Sequence, residues 1–365
     1  MRIVSVQARP WTLSLRAPFS IAQRTAYAAH NVQIVVRTDD PKWTGWGESA
    51  PVAYVTGETV PSVQQAIAQA MPLFEGLNVG RLGPLWAKAS EALPEAPSAR
   101  AGLEMALADL WGKAWQMPLW QHFGGMTRTL ATDITIPLVS PEQAGVLAAD
   151  AWRAGFASLK IKVGDPAGHE ADLARVAAIV QAAPLAHLRI DANQAFAPDA
   201  AVAFMWRALQ TGAVVDLLEQ PVAKDDVAGL KYVRERVSVP VFADEAARDV
   251  AHVLRLLRED AVDGINVKLM KSGLAGALQI VALCRAWGKK LMLGCMLESG
   301  LGIAAAAQMA GGLGAFDFLD LDSHQLLSPV AGLSGGFACA DGALTIGGES
   351  GQGAGWGVTV PESLE

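Results

Sequence analysis

From about residue 130 the chain runs as short apolar strands separated by helical stretches of alanine, leucine and charge: "TDITIPL", "SLKIKV", "HLRIDA", "VVDLLEQP", "VPVFADE", "DGINVKL", "KLMLGCM" and "FDFLDLD". Strands joined through helices pair in parallel, because each crossover returns the chain to the same end of the sheet. No G-x-G-x-x-G follows the first strand, as a doubly wound dinucleotide fold would require. Eight units in roughly 200 residues instead fit a closed (β/α) barrel.

The strand ends carry the chemistry. Asp191 ends "LRIDANQ", Glu219 ends "DLLEQP" and Asp244 ends "VFADE". The separations, 219 − 191 = 28 and 244 − 219 = 25 residues, are each one β/α unit. Three successive acids therefore converge at the C-terminal mouth, where such barrels perform their reactions. Converging carboxylates repel unless a cation offsets them, and an all-oxygen set completed by water and substrate suits Mg²⁺. Any one of the three alone would be read as a helix cap or a surface salt-bridge partner.

Lysines complete the ring. Lys160 and Lys162 in "SLKIKVG" share one face of a strand, because side chains alternate, and both are expected to point at the mouth. Lys268 in "INVKLMKSG" ends the strand after Asp244, so the order round the barrel is Lys, Asp, Glu, Asp, Lys. Two ammonium groups side by side disfavour a second positive charge, so Lys162 is expected to serve as a base while Lys160 stays charged beside a substrate carboxylate. Removing a proton α to a carboxylate builds negative charge that a divalent cation and Lys160 could hold. One lysine would remove the proton and the other return it to the opposite face.

Residues 1–60 alternate like strands, as in "NVQIVVRT", and Ala-rich helices such as "ARAGLEMALADLWGKAW" follow. The expected domains are an α+β domain over 1–125, the barrel over 126–335, and a glycine-rich return of the chain to the first domain over 336–365. Charged residues are 18% of the chain and no uninterrupted apolar run reaches membrane-spanning length. The opening lacks the apolar core of a secretory signal, so a soluble cytoplasmic protein is expected. A net charge of −7 without a basic run disfavours nucleic acid and anionic membrane as partners and favours a small molecule. Cys284, Cys295 and Cys339 have no C-x-x-C spacing and read as reduced core residues.

The chain resembles the enolase superfamily, specifically its muconate-lactonizing-enzyme subgroup. The resemblance rests on "GWGESAP", "TGET", "ARAGLEMALADLWGKAWQMPLWQHFGG", "KIKVG", "DANQAF", "LEQP", "ADE" and "KLMKSGL" and spans nearly the whole chain. It implies a modified (β/α)₇β barrel of TIM type with an α+β capping domain. It further implies Mg²⁺ on Asp191, Glu219 and Asp244, with Lys162 and Lys268 as acid/base catalysts acting through an enediolate. Cycloisomerase, N-acylamino acid racemase, o-succinylbenzoate synthase and dipeptide epimerase all remain open at this point.

"FLDLDS" narrows the choice. Asp320 and Asp322 again share a face, and the dipeptide epimerases of this family use an Asp-x-Asp there to hold the substrate's α-ammonium. The expectation is therefore an epimerase that inverts the C-terminal residue of a dipeptide, Ala-Glu being the leading substrate. An N-acylamino acid racemase, an o-succinylbenzoate synthase and a non-catalytic dipeptide-binding relative are the alternatives. Arg24 in "FSIAQRTAY" falls where the family has a loop that closes over the barrel, and could pair with an acidic second residue. Glu298 in "GCMLESG" matches an acid common in the subgroup and is read as support for Lys268 or as a helix cap. Asn193 and Asn266 each lie two positions from a site residue and would orient it. Trp111, Trp115 and Trp120 recur at helical spacing and read as packing at the domain junction. A homo-oligomer is expected.

Overall fold

Alternation in the first fifty residues builds a three-stranded antiparallel sheet: β1 (Ile3–Ile21), β2 (Arg24–Thr38) and β3 (Thr44–Ser49). The structure, a computed structural model, describes residues 1–347 and 353–361; residues 348–352 and 362–365 of the glycine-rich tail lie outside the described residues. Helix Pro97–Ala114 lies flat on β3 because both surfaces are stripped of side chains at the contact. A Cβ on Gly45 would stand 2.1 Å from the Ala106 carbonyl oxygen, and one on Gly47 2.0 Å from that of Gly102.

The second half is an eight-stranded parallel sheet preceded by the short strand β4 (Thr129–Ala131). Its strands are β5 (Ile134–Ile136), β6 (Ser158–Lys162), β7 (His187–Asp191), β8 (Val214–Glu219), β9 (Val241–Ala243), β10 (Gly264–Lys268), β11 (Lys290–Gly294) and β12 (Phe318–Asp320), paired in chain order. A helix follows each of the first seven strands, running from Pro141–Arg153 round to Gly300–Leu313, so the expected (β/α)₇β barrel is the fold. Loop and side-chain bonds stitch β5 to β12. The Asp133 amide donates to the Leu319 carbonyl at 3.2 Å, and the Leu321 amide to Thr132 Oγ1 at 2.9 Å.

Buried carboxylates join the two halves. Glu48 of β3 accepts from the Ser299 and Gly302 amides at 2.9 and 3.0 Å and from the Ser299 hydroxyl at 2.6 Å, at the start of helix Gly300–Leu313. Glu104 accepts from the Leu274 and Ala275 amides at 2.5 and 3.1 Å, where Gly273, at φ 69°, breaks helix Leu269–Ala286 and opens a fresh N-terminus. Both acids satisfy helix donors that would otherwise be orphaned and complement the positive end of the helix dipole.

The tail and one tryptophan add detail to the sequence reading. Among the described residues of the tail, Phe337–Ala340 and Ala343–Ile346 form a hairpin that pairs with β4. Trp356 docks on helix Pro97–Ala114, its indole donating to the Met105 carbonyl at 3.0 Å and its amide to Asp109 at 3.1 Å. Trp111 and Trp120 pack on the core, but Trp115 is 60% exposed, because it caps the end of its helix and turns outward. Among the described residues one helix, Leu269–Ala286, could cross a membrane by length and mean hydropathy; it is the core helix between β10 and β11, with 56% of its residues buried. The cysteines are free as expected, Cys284 and Cys295 buried and Cys339 partly so.

Gly47→Ala should destabilise the fold by about 1–3 kcal/mol, since neither backbone can retreat from the added methyl. Urea unfolding of the variant beside the wild type measures this, and an unchanged midpoint would contradict the flush packing.

Candidate active site

The strand ends converge. β6 ends on Lys162, β7 on Asp191, β8 on Glu219, β10 on Lys268 and β12 on Asp320, while Asp244 follows β9 by one residue. Register sets their height: Lys162 pairs with Asp191 and Asp191 with Glu219, and on the far side Lys268 pairs with Gly294 and Gly294 with Asp320. Lys160, one turn of the pleat lower, points the same way and is buried. Asp322 lies past β12 at the head of a short helical turn, where its Oδ2 accepts from the Thr135 amide at 2.6 Å.

The charges interlock. Lys160 Nζ lies 2.6 Å from Asp320, 2.9 Å from Glu219 and 3.2 Å from Asp191. Lys162 Nζ meets the same Asp191 oxygen at 2.6 Å, and Lys268 Nζ meets Asp244 at 2.8 Å. Burial alone would push the Lys160 ammonium down, but the surrounding Asp320, Glu219, Asp191 and Asp133 charges hold it well above the usual lysine value. Its charge is taken up by carboxylates on three other strands, which are closer partners than another ammonium could be. Glu219 is pushed up to about 7 by burial and by the Asp191 charge.

Polar neighbours orient these groups. Asn266 donates to Glu219 Oε1 at 2.7 Å, and the Asn193 amide donates to Asp191 Oδ1 at 2.9 Å. Gln220 accepts from the Asp244 and Ala246 amides, both at 3.0 Å, fixing the turn that presents Asp244. Glu298 is buried and its Oε1 accepts from the Met296 amide at 2.9 Å, whereas the cap of the following helix is Ser299. Burial and the charge of Glu48 push Glu298 up to about 8, while Lys268 opposes the rise.

Sequence reasoning missed four buried members. Lys271 donates to Asp244 Oδ1 and to its carbonyl, both at 2.6 Å, and to the Asn266 carbonyl at 2.9 Å. Glu245 accepts from Asn193 at 3.3 Å, and Asp133 accepts from Arg189 at 2.8 Å. Arg189 could have been found, since it shares the inward face of β7 with Asp191. Lys271 lies beyond its strand, where no periodicity points to the site.

The cavity above these groups is walled by Lys160, Lys162, Lys268, Asp320 and Asp322 below and by Phe19, Ile21, Arg24 and Tyr54 above. Arg24 is exposed, with its guanidinium carbon 5.1 Å from the Tyr54 ring centroid. The Gln23 side chain bonds to the Asn193 carbonyl and the Leu138 amide donates to Ser20 at 2.9 Å, closing the β1–β2 turn onto the barrel. As donors, Asp191, Glu219 and Asp244 suit a hard divalent cation: they are buried, all-oxygen and on neighbouring strands. Charge agrees, because the buried acids here (Asp133, Asp191, Glu219, Asp244, Glu245, Asp320 and Asp322) outnumber the buried cations Lys160, Lys162, Lys268, Lys271 and Arg189. Among the described residues, the carboxylates whose oxygens come within 4.8 Å of one another are Asp133, Asp320 and Asp322; Lys160 stands between Asp191 and Glu219.

Residues 2–124 match the family described as mandelate racemase / muconate lactonizing enzyme, N-terminal domain, and residues 143–364 match the enolase C-terminal domain-like family. The chain belongs to the enolase superfamily. It is 35% identical to the L-Ala-D/L-Glu epimerase of Bacillus subtilis over 97% of this chain and 96% of that protein. It is 37% identical to the aromatic dipeptide epimerase of Herpetosiphon aurantiacus over 96% and 98%. The structure of the Enterococcus faecalis dipeptide epimerase complexed with Mg and L-Leu-L-Tyr superposes with a TM-score of 0.92 at 35% identity, covering 99% of this chain and all of that one. This enolase-superfamily member is thus an isomerase of the racemase and epimerase type, acting on amino acid derivatives.

The buried Glu298 sets a pH dependence. Its folded value near 8 exceeds the ordinary 4.5, so the unfolded chain ionises first and stability falls as pH rises from about 4.5 to 8. Glu298→Gln should gain on the wild type by up to about 1.4 kcal/mol per pH unit through that window and by nothing further above it. Denaturant midpoints at pH 5, 7 and 9 test this, and a constant difference would contradict it.

Proposed function

We propose that the protein is a Mg²⁺-dependent dipeptide epimerase that inverts the α-carbon of the C-terminal residue, with Lys162 and Lys268 as the two acid/base groups. The carrying observation is their placement: β6 and β10 are four strands apart in a ring of eight, so the two ammonium groups enter the cavity from opposite sides. Similarity to proteins named as dipeptide epimerases, over nearly their full length, supports the substrate class.

In this reading Asp191, Glu219 and Asp244 hold Mg²⁺, which supplies electrostatic stabilisation of the charge that builds on the substrate carboxylate. Lys160, kept cationic by the acids around it, binds beside that carboxylate. One of Lys162 and Lys268 takes the α-proton and the other delivers a proton to the opposite face, and their roles exchange for the reverse isomer. Asp320 and Asp322 accept hydrogen bonds from the substrate's α-ammonium, which an N-acylated amino acid lacks. Phe19 and Ile21 exclude water from above, and Asn193 and Asn266 fix the carboxylates they bond. Glu298 supports Lys268 in this reading, being near enough for the ammonium to oppose the rise of its carboxyl. Arg24, on the rim over Tyr54, pairs with an acidic second side chain, making Ala-Glu the preferred substrate.

Lys162→Ala and Lys268→Ala should each lower epimerisation by at least about 10²–10⁴-fold. Each should retain deuterium exchange from D₂O into the one isomer whose hydrogen faces the surviving lysine. Proton NMR on both isomers reads this directly, and equal exchange from both in either variant would exclude two opposed bases.

Arg24→Met should lower the ratio of kcat/KM on Ala-Glu to that on Ala-Leu by up to about fivefold, as befits a partly exposed ion pair. An unchanged ratio removes Arg24 from the recognition of the side chain.

A further inference from the structure

Asp133 lies on the short link between β4 and β5, fully buried, and has no part in the function set out above. Its Oδ2 is held by Arg189 at 2.8 Å, and the same Arg189 nitrogen donates to the Leu319 carbonyl at 2.6 Å. Its Oδ1 has no hydrogen-bond partner among the described residues. An oxygen of Asp133, one of Asp320 and one of Asp322 all lie within 4.8 Å of one another. Asp320 and Asp322 line the cavity, and Asp133 stands behind them.

Three carboxylates at this spacing in a buried place cannot all remain ionised on the cations they have. Arg189 serves Asp133 alone among the three, and Lys160 divides its charge between Asp320, Glu219 and Asp191. Asp320 is held below the usual carboxylate range, since Lys160, Lys268 and Lys162 together outweigh its burial. Asp133 moves the other way: burial and the Asp320 charge push it well above, although Arg189 opposes. Asp322 also rises, to about 6, under burial and the Asp320 charge, so of the three Asp133 is pushed furthest up, and its Oδ1 has no partner among the described residues.

We propose that Asp133 is a positioning residue for the substrate's ammonium: as a neutral carboxyl it donates from Oδ1 to the Asp320 and Asp322 pair, keeping both ionised and aimed into the cavity. The inference rests on the reading of Asp320 and Asp322 as the ammonium site. A carboxyl donor behind two carboxylates leaves their outer lone pairs free for the ligand and removes a repulsion that would splay them.

The experiment measures kcat and KM for L-Ala-L-Glu with the Mg²⁺-loaded full chain. Asp133→Ala and Asp133→Leu remove the donor and should raise KM by about tenfold or more, the value of a charge-assisted hydrogen bond, with less than about threefold change in kcat. Asp133→Asn, whose amide donates the same bond while its oxygen keeps Arg189, should restore KM to within about threefold of wild type. A merely structural role would not separate KM from kcat or be rescued by the amide. A KM for Asp133→Asn raised as far as in the apolar variants would mean that a third negative charge is needed, and overturns the proposal. Unchanged KM in whichever apolar variant folds also overturns it. Asp320→Asn on the same substrate separates the two levels: if it too leaves KM unchanged, the ammonium reading itself falls; if it raises KM while the apolar Asp133 variants do not, only the role of Asp133 falls.

Discussion

Lys160 brings an ammonium group into a place where 1% of its side chain meets solvent, and three carboxylates from three other strands make that tolerable. Withdrawing a charge from water costs several kcal/mol, and only close, well-directed counter-charges offset it. Lys160 therefore ties β6 to β7, β8 and β12 at one height. Those contacts reinforce the register and the closed ring that bring the strand ends together. Removing one acid would leave the lysine short of partners, while removing the lysine would leave buried acids facing each other.

The first domain is bound to this mouth by the same kind of interaction. Glu48 and Glu104 give up hydration and receive helix amides from barrel helices in return. A backbone donor at a helix N-terminus is a rigid, directional partner, so these contacts set the angle at which the β1–β3 sheet meets the barrel. With it they set where Phe19, Ile21 and Arg24 stand over the cavity. The flush glycine contact between β3 and helix Pro97–Ala114 removes the remaining slack.

Much of this was legible in the chain. Short apolar runs at regular intervals mean parallel strands with crossovers, and a polar residue at the end of such a run has only the barrel mouth to occupy. That is why Lys162, Asp191, Glu219, Asp244, Lys268 and Asp320 could be named before any coordinates. Asp133 and Lys271 could not be, since both lie outside the strands, one in the link between β4 and β5 and the other in the first turn of helix Leu269–Ala286. Trp115 misled because helical spacing says which residues share a face and not where the helix stops being covered.

The sequence by itself determined the element order, the parallel sheet and the inward side of each strand, because alternation and crossover length are local properties of the chain. Only the tertiary structure decided which acid partners which ammonium. Lys160 is two residues from Lys162 in the chain, yet its bonds go to Asp320, Glu219 and Asp191, placed there by the closing of the ring. Charge at close range depends on distance in space and on the loss of water around it, and neither quantity exists until the barrel has closed.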